Sequence, residues 1–247
     1  EMIGKVMEES VKAHKISDVE VGSYLSSGID SSYIACLGDV DKTFTVGFAH
    51  EKYNEITYAT EFSKVIGVKN YNKLISADEF FDEVGQIMYA MDEPLADPAC
   101  IPLYFLGREA AKQVKVVLSG EGADEFFGGY NIYLEPLDTA WYDKIPYPVR
   151  KGIGSIASLF PKVRGFNFLV RHGKNLEERY IGNANIFSEK EKKHLLKKKA
   201  KRKNTDVTAP FFNRVKEKDK VTKMQYLDMH LWLVHDILLK ADKMSMA

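Results

Sequence analysis

The sequence predicts an α/β fold built on a doubly wound parallel sheet and followed by a C-terminal helical region. Over residues 21–118, short apolar stretches alternate with amphipathic ones, which is the order of strands and crossover helices in a parallel sheet. Residues 114–118 are almost continuously apolar, as expected for a strand buried on both faces. After about residue 130, strand patterns fade and amphipathic segments dominate. We therefore divide the chain into an α/β core, residues 1–130, and a helical extension, residues 131–247.

Individual elements are predicted from hydrophobic periodicity and from capping residues. The predicted strands cover residues 21–26, 42–48, 71–75 and 114–118. The predicted helices cover residues 1–15, 31–38, 55–66, 76–91 and 103–112 in the core, and 180–185, 189–196 and 221–239 in the extension. Ser76 and Glu79 form a capping-box pattern, which marks the start of a helix, and Gly67 is placed to end the helix before it.

Composition excludes several classes of protein. The chain has 247 residues and is 45% hydrophobic, so it is long enough to bury a sizeable core. Its formal net charge is zero, which argues against nucleic acid or an anionic membrane as a partner. No apolar stretch approaches the roughly 20 residues that span a bilayer. Cys36 and Cys100 lack metal-ligand spacing and lie in apolar surroundings, so we expect buried free thiols in a cytoplasmic protein.

A basic run at residues 189–203 allows two interpretations. Its cationic residues are Lys190, Lys192, Lys193, Lys197, Lys198, Lys199, Lys201, Arg202 and Lys203. Such a run is typical of an RNA-binding patch, or of a solvated helix whose Leu195 and Leu196 face the core. The balanced overall charge and the lack of interleaved aromatic residues favour the solvated helix.

The most informative segment, which we call the anion loop, is residues 25–32, Leu-Ser-Ser-Gly-Ile-Asp-Ser-Ser. A short apolar strand passes there into small polar residues and then into a helix, so that backbone N–H groups and a helix N-terminus converge on one place. Asp30 would repel a phosphate unless a cation lay between them, so the segment predicts a phosphate site with Mg²⁺. It is not a Walker A loop, because no G-x-x-x-x-G-K-[ST] pattern occurs in the chain.

Two further loops carry carboxylates. The acidic loop, residues 119–125 (Ser-Gly-Glu-Gly-Ala-Asp-Glu), also follows an apolar strand, and the proline loop, residues 91–98, holds three acids whose directions are restricted by Pro94 and Pro98. Each loop alone reads as an ordinary turn. Two similar loops after two strands of one sheet, however, favour a shared ligand site at the carboxyl ends of those strands.

These loops resemble the ATP pyrophosphatase fold, a PP-loop fold of the adenine nucleotide alpha hydrolase type. More closely, they resemble the synthetase domain of the glutamine-dependent asparagine synthetases. The stretches that carry this resemblance are residues 25–32, Asp92-Glu93-Pro94 with Ala96-Asp97-Pro98, residues 118–130, residues 180–185 and residues 240–247. The match extends over nearly the whole chain.

The resemblance implies an ATP-dependent carbon–nitrogen ligase that forms asparagine. The side-chain carboxylate of aspartate would attack the α-phosphorus of Mg-ATP to give β-aspartyl-AMP and pyrophosphate, and ammonia, derived from glutamine in the full-length enzyme, would displace AMP. Ser26, Ser27, Gly28, Ser31 and Ser32 would hold pyrophosphate, and Asp30 and Asp97 would bind Mg²⁺. Leu25, Val46 and Gly47 would seat the adenine, and Ser119, Gly120 and Glu121 would line the opposite side of the pocket. Glu93 would be the catalytic proton acceptor.

Three departures from the family pattern accompany the resemblance. Ser27 stands where the usual Ser-Gly-Gly-x-Asp-Ser loop has its second glycine, so we expect its φ to be negative. The family's N-terminal glutaminase domain is absent from this sequence. The segment beyond residue 247, with a lysine thought to stabilise the adenylation transition state, is absent too. The resemblance also allows a homodimer.

Other interpretations remain open at this stage. A related PP-loop synthetase could amidate a different acid or close a β-lactam, although Glu93 in its Asp-Glu-Pro context favours asparagine synthesis. A tRNA-thiolating relative would need catalytic or metal-binding cysteines, which are lacking. From a different class, the chain could be an ATP-binding module without catalysis.

Overall fold

Four parallel strands organise the first part of the chain. The computed structural model describes residues 2–49, 54–92, 95, 97–160, 163–183, 187–198 and 201–247. The strands are β1 (Val21–Tyr24), β2 (Lys42–Phe48), β3 (Lys69–Ile75) and β4 (Val116–Leu118). They lie in the order β3-β2-β1-β4, and every neighbouring pair is parallel. The predicted parallel sheet is thus confirmed.

Helices connect the strands and dominate the described residues after β4. The first five are α1 (Met2–His14), α2 (Ile29–Leu37), α3 (Ile56–Val65), α4 (Ala77–Ala90) and α5 (Cys100–Ala111). The next nine are α6 (Ala123–Phe127), α7 (Glu135–Asp138), α8 (Ala140–Asp143), α9 (Tyr147–Ala157), α10 (Arg164–His172), α11 (Leu176–Arg179), α12 (Glu189–Leu195), α13 (Asn204–Arg214) and α14 (Lys220–His230). A 3₁₀ turn spans Asn131–Leu134, a π turn spans Leu233–Ile237, and α15 (Leu238–Met246) ends the chain.

Alternate residues of β2 show that helices cover both faces of the sheet. Phe44 is fully buried in an apolar cluster with residues of α5. Thr43 points the other way, and its hydroxyl lies 2.7 Å from the hydroxyl of Ser63 on α3. Because successive side chains of a strand leave opposite faces, the sheet lies between two helical layers, as in a doubly wound fold.

The chain forms two compact units. The first comprises Glu1–Glu121 together with Ile237–Ala247, and the second comprises Gly122–Asp236. The first unit ends at residue 121, before residue 130, where the sequence predicts the boundary between the α/β core and the helical extension. The last helix of the chain also belongs to the first unit. Helix α15 belongs to it because Met244 is buried in the core that α4 and α5 build.

The second unit has its own core of buried aromatic and aliphatic residues: Tyr133, Leu176, Tyr180, Phe212, Met224 and Leu227. A fully buried carboxylate, Asp228, lies beside this core and accepts hydrogen bonds from the hydroxyls of Tyr133 and Tyr180. Burial raises the pKa of the Asp228 carboxyl, against the lowering effect of these two hydrogen bonds.

Most element predictions for the first unit are confirmed. Strand β2 has the predicted bounds, and α4 begins with the predicted capping box, in which Ser76 accepts from the Glu79 N–H at 3.2 Å. Gly67 lies just beyond α3 with a φ of 75°. Helix α5 begins at Cys100, earlier than predicted. Pro102 does not prevent this, because N–H groups of a first helical turn have no intrahelical acceptor.

Three predictions were wrong. Residues 180–183 are not helical, because α11 ends at Arg179 and Gly182 adopts a φ of 96°, which a right-handed helix excludes; residues 184 and 185 lie outside the described part. Leu195 and Leu196 are exposed and belong to none of the four core clusters of the described residues; the hydrogen bonds that join α12 to Asn204 involve Glu189 and Lys192. Cys36 is also exposed, whereas Cys100 is buried as predicted.

Within the described residues, no helix combines the length and the apolar character that crossing a bilayer would require.

Candidate active site

The order of the strands determines where the site lies. From β1 the chain proceeds to β2 and β3 on one side, and then returns to place β4 on the other side of β1. The connections therefore diverge between β1 and β4, and sheets of this kind bind ligands beyond the carboxyl ends of the strands at such a point. The anion loop follows β1, and the acidic loop follows β4.

Hydrogen bonds within the anion loop fix its shape. The Gly28 N–H donates to Ser26 Oγ at 3.1 Å, and the Ser26 hydroxyl lies 2.8 Å from the Ser31 hydroxyl. Ser31 and Ser32 both donate to the Gly28 carbonyl oxygen, at 3.1 and 2.9 Å. Gly28 is the residue before α2, so these bonds hold the loop against the start of that helix.

The start of α2 supplies donors for an anion. The first hydrogen bond of the helix runs from the Ser32 N–H to the Gly28 carbonyl oxygen, at 3.3 Å. The N–H groups of residues 29–31 therefore precede the helical hydrogen-bond ladder, and the positive end of the helix dipole lies beside them. Asp30 lies in this first turn. A carboxylate at that position stabilises the free helix end and is placed next to any anion bound there.

Ser27 has the negative φ that a residue with a Cβ requires at this position of the loop. The non-glycine residues with positive φ in the described part of the chain are Asp39 and Asp92, so Ser27 adopts an ordinary backbone conformation. Its hydroxyl donates to Glu55 Oε1 at 2.8 Å. Glu55 is the residue before α3, and the sequence analysis did not predict it as a site residue.

The acidic loop packs directly against the anion loop. A Cβ built on Gly120 would lie 3.1 Å from the Asp30 carbonyl carbon and 3.1 Å from the Ser31 nitrogen. These are closer approaches than side chains normally make, so only glycine lets the two loops meet without a shift. The contact confirms that the two loops come together, as their positions after neighbouring strands predict.

A pocket of about 270 Å³ lies at the carboxyl end of β2. Its lining is mostly apolar: Val46, Ala99, Pro102, Leu103 and Leu106, with Glu121 and Lys240 as the charged members. The structure thus brings Val46 and Glu121, both predicted site residues, to one cavity. Sequence reasoning missed the contribution of α5, because the leucines of an amphipathic helix carry no signal that separates a pocket from a core.

The pocket lining does not include Leu25 and Gly47, which were predicted to seat the adenine, or Ser119, which was predicted on the opposite side of the site. Leu25 is buried, and its carbonyl oxygen accepts from the Thr45 hydroxyl at 2.8 Å. Gly47 is buried too, and a Cβ there would come within 2.8 Å of Asn54 Oδ1. Ser119 is exposed, directly after β4.

Lys240 is a buried cation in the same pocket. Only 4% of the residue is exposed, and its ammonium group pairs with Asp97 Oδ2. The other Asp97 oxygen accepts from the Ala99 N–H at 3.0 Å, just before α5. Asp97 therefore joins α15 to the start of α5.

The remaining site predictions concern Glu93 and the metal. Glu93 lies outside the described residues, together with residues 94 and 96 of the proline loop. Among the residues that the structure describes, no group of three or more His, Cys, Asp or Glu side chains is arranged to hold a metal ion. Mg²⁺ in nucleotide sites commonly takes only one or two carboxylates besides phosphate oxygens and waters, so the donor chemistry of Asp30 fits it.

Taken together, the fold and the site define a parallel α/β protein in which the anion loop lies at the topological switch point of the sheet. A family model described as asparagine synthase matches residues 2–247. The chain belongs to the asparagine synthase family.

Curated relatives agree with this assignment. The chain is 47% identical over 245 residues to the glutamine-hydrolysing asparagine synthetase 1 of Bacillus subtilis (strain 168), covering 97% of this chain and 39% of the relative. It is 30% identical over 147 residues to the glutamine-hydrolysing asparagine synthetase B of Escherichia coli (strain K12), covering 51% of this chain and 26% of that relative. The chain thus spans about two fifths of the length of the Bacillus relative. Among solved structures, an NMN synthetase from Francisella tularensis aligns over 51% of this chain and 58% of its own with a TM-score of 0.37 and 17% identity.

Proposed function

We propose that this chain catalyses the ATP-dependent formation of asparagine from aspartate and ammonia. The observation that carries the proposal is the contact of Gly120 with the backbone of Asp30 and Ser31, which joins two ligand loops at the switch point of a parallel sheet. Family membership over residues 2–247 and the names of the relatives supply the reaction.

The pocket beside Val46 is proposed to take the adenine. Its apolar lining from β2 and α5 suits a flat heteroaromatic ring, and we expect the backbone of Val46 to meet the polar edge of that ring. Leu25 and Ser119, directly after the neighbouring strands β1 and β4, are proposed to complete the surroundings of the nucleotide. The triphosphate would extend toward the anion loop, where Ser26, Gly28, Ser31 and Ser32 form a pre-shaped anion site.

Mg²⁺ is proposed as the cofactor, with Asp30 as its best-supported ligand. When bound, the ion neutralises phosphate charge near the reacting phosphorus. Asp97 was the second predicted ligand, but its oxygens already accept from Lys240 and from the Ala99 N–H. Its contacts therefore support a role in holding Lys240 more directly than a role as metal ligand.

The proposed reaction has two steps. An oxygen of the aspartate side-chain carboxylate bonds to the α-phosphorus while the bond from that phosphorus to the bridging oxygen breaks, and pyrophosphate leaves from the anion loop. Ammonia then adds to the acyl carbon of β-aspartyl-AMP, loses a proton, and AMP departs. Glu93 is proposed to accept that proton. In the relatives named as glutamine-hydrolysing, glutamine would be the source of the ammonia.

Pyrophosphate release in the presence of ATP, Mg²⁺, aspartate and ammonia tests the proposal. We expect release to depend on aspartate and to stop when other acids replace it. Glu93→Gln is expected to lower asparagine formation by about 10²–10⁴-fold, the usual range for a lost proton acceptor. Glu217→Gln, a change at an exposed position of the second unit, is the control and should leave the rate unchanged. ATP binding without pyrophosphate release from any acid would contradict the proposal and favour a binding module.

A further inference from the structure

The hydroxyl groups of the anion loop divide into two sets. Those of Ser31 and Ser32 donate to the Gly28 carbonyl oxygen, and that of Ser26 lies against Ser31, so their hydrogen bonds stay within the loop. The hydroxyl of Ser27 leaves the loop and donates to Glu55 Oε1 at 2.8 Å. A carboxylate from the start of α3 is thereby brought to the loop.

This hydrogen bond opposes the binding of an anion in two ways. A serine hydroxyl has one hydrogen, and while Glu55 accepts it, Ser27 offers only lone pairs to a phosphate oxygen. The charge of the Glu55 carboxylate also repels a phosphate in the loop. Bonding a phosphate through Ser27 therefore requires the hydroxyl to turn away from Glu55, at the loss of a hydrogen bond to a charged group.

We propose that Glu55, acting through Ser27, weakens the hold of the anion loop on pyrophosphate and so promotes its release. Glu55 is thus a positioning residue that sets the direction of one hydroxyl. The inference rests on the proposed function, because it takes the loop to be the pyrophosphate site. The hydroxyl is a feature of this chain, since Ser27 replaces the glycine of the usual pattern.

The test is calorimetric titration of the chain with inorganic pyrophosphate and Mg²⁺. Glu55→Gln removes the charge and keeps an oxygen acceptor, so the hydroxyl is freer to turn to the phosphate. We expect pyrophosphate to bind about 10-fold more tightly, the order expected when a hydrogen bond to a charged group is weakened. Glu61→Gln is the matched control, because it removes the same charge from an exposed position within α3, the helix that Glu55 precedes. It should change the affinity less than twofold.

A double-mutant cycle separates action through Ser27 from a general charge effect. In a Ser27→Ala background there is no hydroxyl to direct, so Glu55→Gln should tighten binding by only about twofold. Thermal unfolding of each variant shows whether the fold is retained. A merely structural role of Glu55 would lower stability without tightening the binding of pyrophosphate.

The outcomes separate this inference from the proposed function. Equal affinities for Glu55→Gln and Glu61→Gln, or weaker binding by Glu55→Gln, overturn the inference and leave the proposed function standing. An equally large effect of Glu55→Gln with and without Ser27 also overturns it, because the hydroxyl would then have no part. An unmodified chain that binds neither pyrophosphate nor ATP overturns the proposed function, and the inference with it.

Discussion

At the scale of single residues, Gly120 is the position on which the geometry of the site depends most directly. It lets the acidic loop lie against the backbone of Asp30 and Ser31. Gly120→Ala would place a Cβ 3.1 Å from backbone atoms of both residues. Since the contacted atoms are backbone, one loop must move by a few tenths of an ångström, and reacting groups tolerate such displacement poorly.

We therefore expect Gly120→Ala to lower kcat/KM for ATP by about 10-fold with little change in thermal stability. Steady-state kinetics at saturating aspartate and ammonia measure the effect. Gly85→Ala is the matched control, because a Cβ on Gly85, within α4, meets nothing within 4 Å and alanine suits a helix interior. An unchanged kcat/KM in Gly120→Ala would show that the contact of the two loops does not matter for nucleotide use.

Residue-scale predictions from sequence succeed where the signal is local. The anion loop is recognisable because its serines, glycine and aspartate are contiguous, and the negative φ expected for Ser27 is confirmed. The partners of these residues could not be foreseen. Ser27 and Glu55 are 28 positions apart, and Lys240 and Asp97 are 143 positions apart, so only the folded backbone brings each pair together.

At the scale of elements, α15 depends on a buried ion pair. Lys240 joins it to Asp97 at the start of α5, and only 5% of the lysine side chain is exposed. Removing one partner of a buried pair leaves the other charge uncompensated, which costs about 3 kcal/mol. We expect Lys240→Met to make the backbone amides of α15 exchange with solvent roughly 100-fold faster.

Hydrogen exchange followed by mass spectrometry measures this change in α15. Lys243→Met is the control on the same helix, since Lys243 pairs with Asp92, whose side chain is 73% exposed. Exposed pairs contribute little, so exchange in α15 should stay close to that of the unmodified chain. Similar exchange in the two variants would contradict a special role for the buried pair.

The bounds of elements were predicted correctly where a local pattern, either hydrophobic periodicity or a capping box, marks the boundary. The apolar alternation of β2 and the capping box of α4 each indicate a boundary that local chemistry enforces. Prediction failed at residues 180–183, where apolar spacing indicated a helix but Gly182 adopts a backbone conformation outside the helical region. The exposure of Leu195 shows the same limit, because periodicity identifies an apolar face without identifying what covers it.

At the scale of the whole molecule, the predicted nucleotide-site residues and several buried ionisable groups lie in different units. Every predicted nucleotide-site residue that the structure describes lies in the first unit, whereas the second unit contains several buried ionisable groups of its own. Two of them, His172 and Arg179, lie beside Glu135, whose Oε1 accepts from Arg179 Nε at 3.0 Å and is 3.7 Å from His172 Nε2. Burial and then the charge of Arg179 lower the pKa of His172.

This lowered pKa predicts a pH dependence for the second unit. A histidine whose folded-state pKa lies below its unfolded value of 6.5 is protonated first in the unfolded chain. Its contribution to stability is therefore complete at about pH 7.5 and declines as the pH falls through 6.5 toward the folded value. We expect the urea midpoint of the second unit to fall between about pH 7.5 and pH 5.5, and to fall less in His172→Gln.

Tryptophan fluorescence reports this unit alone, because Trp141 and Trp232 are the two tryptophans of the chain and both lie in it. Trp141 stacks on Phe168, which in turn packs against His172. His14→Gln, an exposed change in the first unit, should keep the pH dependence of the unmodified chain. If the urea midpoint of His172→Gln depended on pH as strongly as that of the unmodified chain, groups other than His172 would cause the dependence.

In the proposed reaction, the site activates the side-chain carboxylate of aspartate by adenylation. Aspartate labelled with ¹⁸O in that carboxylate tests it most directly, with the products analysed by mass spectrometry after reaction with ATP, Mg²⁺ and ammonia. We expect AMP to carry one ¹⁸O, because the bond from the carboxylate oxygen to the α-phosphorus survives when ammonia takes the acyl group. Label in inorganic phosphate together with ADP, or unlabelled AMP, would contradict it.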